Sequence, residues 1–151
     1  MTDNNIQRLY ELAGVEKLVE QRYHGSIYGT IENCIKMAHK WSKESGIKIK
    51  NLTVLNDENI CFDKVYYPPF TVEKQLELIK FVGKLKENNE IGIEYQKDNS
   101  LWCTCLRDTY DECLNIWAHH KHFDQALASL ILQLWNDLTE EQIENIKEIL
   151  Q

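Results

Sequence analysis

Apolar positions recur at helical spacing through Ile6, Leu9, Leu12 and Ala13, and Gly14 follows as a natural stop, so a short helix is expected over Asn5 to Ala13. Val15 to Tyr23 fits either a further helical turn or a strand, and Gly25 and Gly29 bracket a turn-rich stretch. Thr30 can cap the next helix, where Ile31, Cys34, Ile35, Ala38 and Trp41 form one stripe before Gly46 ends it. The pattern then changes period. Ile47 to Leu55 and Ile60 to Tyr67 are rich in β-branched and partly alternating residues, and Asn56-Asp57-Glu58-Asn59 between them supplies turn chemistry, which predicts a hairpin. Pro68-Pro69 closes it, and a helix starts at Phe70-Thr71 with Leu76, Ile79 and Val82 on one side, widened by Leu78, Phe81 and Leu85. Gly83 lowers the helicity of this segment without being expected to end it.

Three short strands are expected next. Ile91, Ile93 and Tyr95 alternate, Lys97-Asp98-Asn99-Ser100 turns, Leu101 to Leu106 runs back, and Cys113 to Trp117 follows the polar stretch Arg107 to Glu112. The strongest helical signal is the series Phe123, Ala126, Leu127, Leu130, Ile131 and Leu134. A last helix begins with a capping box, Thr139 with Gln142, and Leu138 is placed to staple to Ile143 across the cap. Adjacent antiparallel strands with helices gathered on them predict an α+β fold, a layered sandwich of an antiparallel sheet with helices packed on it, and not a doubly wound nucleotide-binding fold. With 151 residues and only six glycines and two prolines, one domain over 1–151 without a flexible linker is the expectation.

Charge narrows the classes of partner. The formal net charge of -7 argues against a protein that grips many phosphates of a nucleic acid. Local basic patches remain at Lys48 with Lys50, which share a strand face, and at the run His119-His120-Lys121-His122. The five cysteines are odd in number and irregularly spaced, and the polar Met1 to Asn5 gives no secretion signal, so a reducing, cytoplasmic setting is expected. No run of about 18 apolar residues suggests a membrane span.

Two groups of residues carry candidate chemistry. Cys103 and Cys105 share one strand face by the period of two, Cys113 is expected on the next strand, and His119, His120 and His122 follow, so Cys103, Cys105, His120 and His122 are candidate zinc ligands. The competing reading is of buried thiols beside a surface histidine turn, since structural zinc favours Cys-x-x-Cys pairs. A thiolate activated by a neighbouring imidazole is a further option that no local signature supports. The segment from Arg22 to Thr30 joins aromatics and two glycines at a helix start, which makes Tyr23, His24, Tyr28 and Thr30 candidate small-ligand contacts, against the plainer reading of a turn that positions the helix. No acid/base carboxylate pair, phosphate loop or dinucleotide fingerprint stands out, and no cofactor is called for.

The stretch from Pro68-Pro69-Phe70-Thr71 through the strand carrying Trp102 to the helix His122–Leu134 resembles the phage ABA sandwich domain, a family of small phage and prophage proteins. The resemblance implies a layered α/β/α arrangement and a mobile-element origin, and it brings no catalytic residues. The function expected from all this is that of a small binding or accessory protein acting through a protein partner or a small ligand. The alternative is a metal- or thiol-dependent enzyme using Cys103, Cys105, Cys113, His119, His120 and His122.

Overall fold

Within Val15 to Tyr23, which the pattern leaves open, the part from Leu18 onward becomes a strand because a partner strand is there to pair with it. The computed structural model describes residues 4–26, 29–55, 59–109 and 115–151, with residues 21–26 described by their backbone alone. The described elements are α1 (Asn5–Ala13), β1 (Leu18–Ser26), α2 (Ile31–Ser45), β2 (Lys48–Leu55), β3 (Asn59–Tyr66), α3 (Val72–Gly83), β4 (Asn89–Gln96), β5 (Leu101–Asp108), β6 (Ile116–His120), α4 (Phe123–Leu134) and α5 (Glu140–Leu150). The fold is α+β, and its strands form two three-stranded antiparallel sheets, in the orders β1-β3-β2 and β4-β5-β6. The chain groups into two compact units: Glu16–Pro68 is one, and Met1–Val15 with Pro69–Gln151 is the other.

In the unit Glu16–Pro68, β3 is central and contributes the buried residues Ile60, Cys61, Phe62 and Val65. Both flanking strands slip register against it, between Glu20 and Tyr23 on one side and between Lys50 and Thr53 on the other. Asn51 sits at the second slip with φ 56, a left-handed conformation that asparagine tolerates, and its side-chain amide donates to Asp63 Oδ2 at 2.9 Å. Thr30 Oγ1 accepts the Asn33 amide and Gly46 closes α2 with φ 74, as the sequence leads one to expect. The predicted stripe of α2 faces inward but is only half-buried, and none of its described residues is fully covered. Trp41 reaches furthest, 6.0 Å from the Phe62 ring centre, with the Lys64 ammonium 5.3 Å above its own ring.

The other unit sets α4 against β5 and β6 of its sheet. Ala126, Leu127, Ala128, Leu130, Ile131 and Leu134 of α4 are buried together with Leu9 and Tyr10 of α1, Leu78 and Val82 of α3, and Ile146 and Leu150 of α5. Each such leucine or isoleucine contributes roughly 1.5–3 kcal/mol by leaving water. Thr104, the buried polar residue of β5, donates from Oγ1 to the Ala126 carbonyl at 2.9 Å, so its hydroxyl is satisfied where water cannot reach it. Trp102 lies on the same face, between Tyr95 at 5.1 Å and Phe123 at 5.5 Å. The capping box of α5 is formed on both sides, Gln142 amide to Thr139 Oγ1 and Thr139 amide to Gln142 Oε1. The far end of α5 is held by Lys74, whose ammonium donates to the Leu150 carbonyl at 2.9 Å, where the helix dipole favours a cation. Burial pulls the Lys74 ammonium below its ordinary pKa.

Three expectations are corrected here. Gly83 does end α3: the Lys84 amide turns in on the carbonyls of Lys80, Phe81 and Val82, a tightened last turn that stops propagation. The third strand of the meander runs on to His120 and does not stop at Trp117, because pairing with β5 extends through His119 and His120 whatever their polarity; its expected start at Cys113 lies outside the described residues. Leu12 and Leu76 are 45% and 52% exposed, so the buried stripes of α1 and α3 are narrower than their apolar spacing suggests.

Candidate functional site

The end of the β4-β5-β6 sheet where α3 gives way to β4 holds a cavity of about 330 Å³. Its apolar wall is made by Leu85 after α3, Leu106 of β5, Ile116 of β6, Leu134 at the end of α4 and Leu138 before α5. The local sequence explains the opening. Helix α4 does not run on into α5; a 3-10 turn, Trp135–Asp137, ends with the Leu138 amide on the Trp135 carbonyl at 3.2 Å, and the capping box then starts α5 in a new direction. That corner stands away from the strand ends and leaves space between them.

Polar groups converge on the same space. Asp108, Asp137, Lys86, Asn89 and Gln142 line it together with Asn115. The Asn115 Oδ1 atom is buried and has no hydrogen-bond partner among the described residues. A buried amide oxygen left in this state costs roughly 1–3 kcal/mol, so such atoms are few in native structures and each calls for an explanation. An apolar wall with a few convergent polar groups is the usual build of a small-molecule site.

The opposite face of the β4-β5-β6 sheet carries a second cluster. Register places Gly92 and Trp117 beside Cys105, and Glu94 and His119 beside Cys103. Cys103 and Cys105 are both buried. The Arg107 guanidinium hydrogen-bonds the Cys105 sulfur, which raises its already high pKa, and lies 5.8 Å from the Trp117 ring centre. Burial pushes the Cys103 thiol up, the neighbouring Cys105 and Glu94 add to the rise, and Arg107 opposes it. Gly92 makes room for this packing: a Cβ there would lie 2.6 Å from Cys105 Sγ and 3.0 Å from an Arg107 nitrogen.

The residues singled out from sequence are distributed as follows. Cys103 and Cys105 share one face, as expected, but His120 is on the other, opposite Trp102, and His122 follows it as the N-cap of α4. His120 Nδ1 accepts the His122 amide at 3.0 Å, with the two rings 5.7 Å apart. The four candidate zinc ligands are therefore divided between the two faces of the sheet, and among the described residues no group of three or more His, Cys, Asp or Glu is placed to hold a metal ion. Tyr23 and His24 pair through their backbones with Phe62 and Cys61, and Thr30 spends its hydroxyl on the α2 cap. Tyr28 and Cys113 lie outside the described residues.

Sequence reasoning missed Asn115, Leu106 and Leu138 as parts of one cavity. Only Leu138 carried a signal, next to the capping box. No protein-family model, no curated protein and no solved structure matches this chain. The case for function therefore rests on the geometry.

Proposed function

We propose that this chain is a small accessory binding protein that takes a partly apolar small molecule, bearing a hydrogen-bond donor, into the cavity walled by Leu106, Ile116, Leu134 and Leu138. The buried Asn115 Oδ1 carries the proposal: it is an acceptor without a partner among the described residues, and its residue lines a space large enough for a metabolite-sized ligand. The carboxylates of Asp108 and Asp137 at the same cavity add acceptors, so a donor such as an amine, amide or hydroxyl suits the site better than an anion. This reading makes the chain a binder and not a catalyst, and the mobile-element origin implied by the sequence resemblance is compatible with it. Among the described residues no helix is long and apolar enough to cross a membrane.

The test uses Asn115→Leu. Replacing an unpartnered buried amide by an apolar group of similar size is expected to raise stability of the ligand-free protein by about 1 kcal/mol, read by denaturant unfolding, and to abolish ligand retention. Native mass spectrometry of protein purified straight from cells, without chelator, reads the second part: a small-molecule adduct on the parent chain that is missing from the variant. A variant that is less stable than the parent, or that retains the same adduct, would refute the proposal.

A further inference from the structure

A second cleft, of about 500 Å³, lies where the first turns of α1 and α4 meet the end of β6, and it is lined by the run His119 to His122 together with Asn4, Leu101 and Gln125. Its composition is unlike that of the chain. The protein carries 24 acidic residues against 17 lysines and arginines, yet this lining has one lysine, three of the five histidines and no carboxylate among the described residues.

The hydrogen-bond inventory gives the cleft a direction. The side-chain oxygens of Asn4 and Gln125 and the Nδ1 atom of His120 are already engaged within the protein. Gln125 Oε1 accepts the Asn5 amide at 2.8 Å and the Ile6 amide at 3.3 Å. Asn4 Oδ1 accepts the Gln7 amide at 2.9 Å and Gln125 Nε2 at 3.3 Å. His120 Nδ1 accepts the His122 amide, which puts the proton of its neutral ring on Nε2. The donors that line it are the Lys121 ammonium, imidazole N–H groups and the Asn4 side-chain amide. The carboxylate nearest in sequence, Asp124, is turned to the Gln125 amide at 2.8 Å. Helix α4 begins here without a side-chain cap from His122, and the Asp124 carboxylate of its first turn takes up one of its amides.

We infer that this cleft is an oxyanion site and that its ligand is a phosphate group, as free phosphate or as the monoester of a small molecule. A phosphate at neutral pH presents mainly acceptor oxygens and negative charge, which matches a lining with a lysine, three histidines and amide oxygens that are already engaged. Leu101 at the rim gives an ester's organic part an apolar surface to rest on.

The experiment is a titration of the full chain with inorganic phosphate and, separately, with phenyl phosphate, at constant ionic strength held with chloride, following backbone amide shifts of His119 to Gln125 by NMR. Both probes are expected to move these amides saturably, and Lys121→Glu, an exposed substitution that leaves the fold intact, is expected to weaken binding at least about tenfold. Tighter binding of phenyl phosphate than of phosphate identifies a monoester site, and equal binding identifies a site for phosphate itself. Absence of saturable shifts, or shifts unchanged by Lys121→Glu, overturns the inference. The outcome is independent of the Asn115 cavity, whose residues these amides do not include.

Discussion

Tyr10 is almost fully buried, its ring edge-on to Phe70 with centres 6.2 Å apart, and burial pushes its phenol from 10.0 up to about 12. The folded protein therefore keeps this proton to higher pH than the unfolded chain does. The resulting stability is complete below pH 10 and is lost as the pH rises through 12. A loss on the order of 2 kcal/mol over that interval is expected from the size of the shift. Urea unfolding at a series of alkaline pH values measures it, and Tyr10→Phe should flatten the dependence; an unchanged slope in that variant would assign the effect to another group.

At the scale of elements, the joint between α1 and α4 shows how one side chain can anchor a helix that is too short to stand alone. Helix α1 has nine residues, below the length at which an isolated helix holds in water. Gln125 of α4 supplies the acceptor for two of its first amides, in addition to the local cap from Asn4. Gln125→Ala should cost about 1–2 kcal/mol and should raise hydrogen exchange in the first turn of α1 more than elsewhere. Uniform loss of protection would mean that the bond only adds to global stability.

Much of this was legible in the sequence where the signal is local. Thr30, Gly46, Thr139 with Gln142, and the spacing of Phe123 to Leu134 each specify a boundary or a face through chemistry within a few residues. The strand β1 was not legible, because Leu18 and Val19 are 46% and 65% exposed and only the pairing with β3 decides their conformation. The candidate cavity was illegible for a related reason. Asn115 is chemically ordinary, and the burial of its Oδ1 without a partner among the described residues exists only once Leu106, Leu134 and Leu138 have come together from distant parts of the chain. The histidine run was visible as a basic patch, whereas the split of its members between the two sheet faces is set by register, which the composition of β6 does not encode.

At the scale of the molecule, the unit Glu16–Pro68 is continuous in sequence and interrupts the other between Val15 and Pro69. Within the interrupted unit, the contact of Tyr10 with Phe70 and the bond from the Val15 amide to the Tyr10 carbonyl at 3.1 Å bring the two sides of the interruption near one another. Segments that leave and return at neighbouring points are those whose removal a fold tolerates. Replacing Glu16–Pro68 by a short Gly-Ser linker is expected to leave a cooperatively unfolding protein with the near-ultraviolet dichroism of a packed Trp102. A non-cooperative transition would show that the remaining unit depends on the replaced one.

The same interruption sets an order of events during synthesis. Helix α1 rests on α4 and α5, so it leaves the ribosome well before the helices it packs on and lacks that surface until α5 has been made. The residues of β1 to β3, by contrast, find all their strand partners within one continuous stretch. Local contacts of this kind form sooner than those that wait on a long loop to close. A nascent chain would thus carry one finished unit while the amphipathic α1 still lacked its docking surface, and in that interval the exposed faces of Leu9 and Tyr10 would be the part of the protein that a chaperone has most reason to hold.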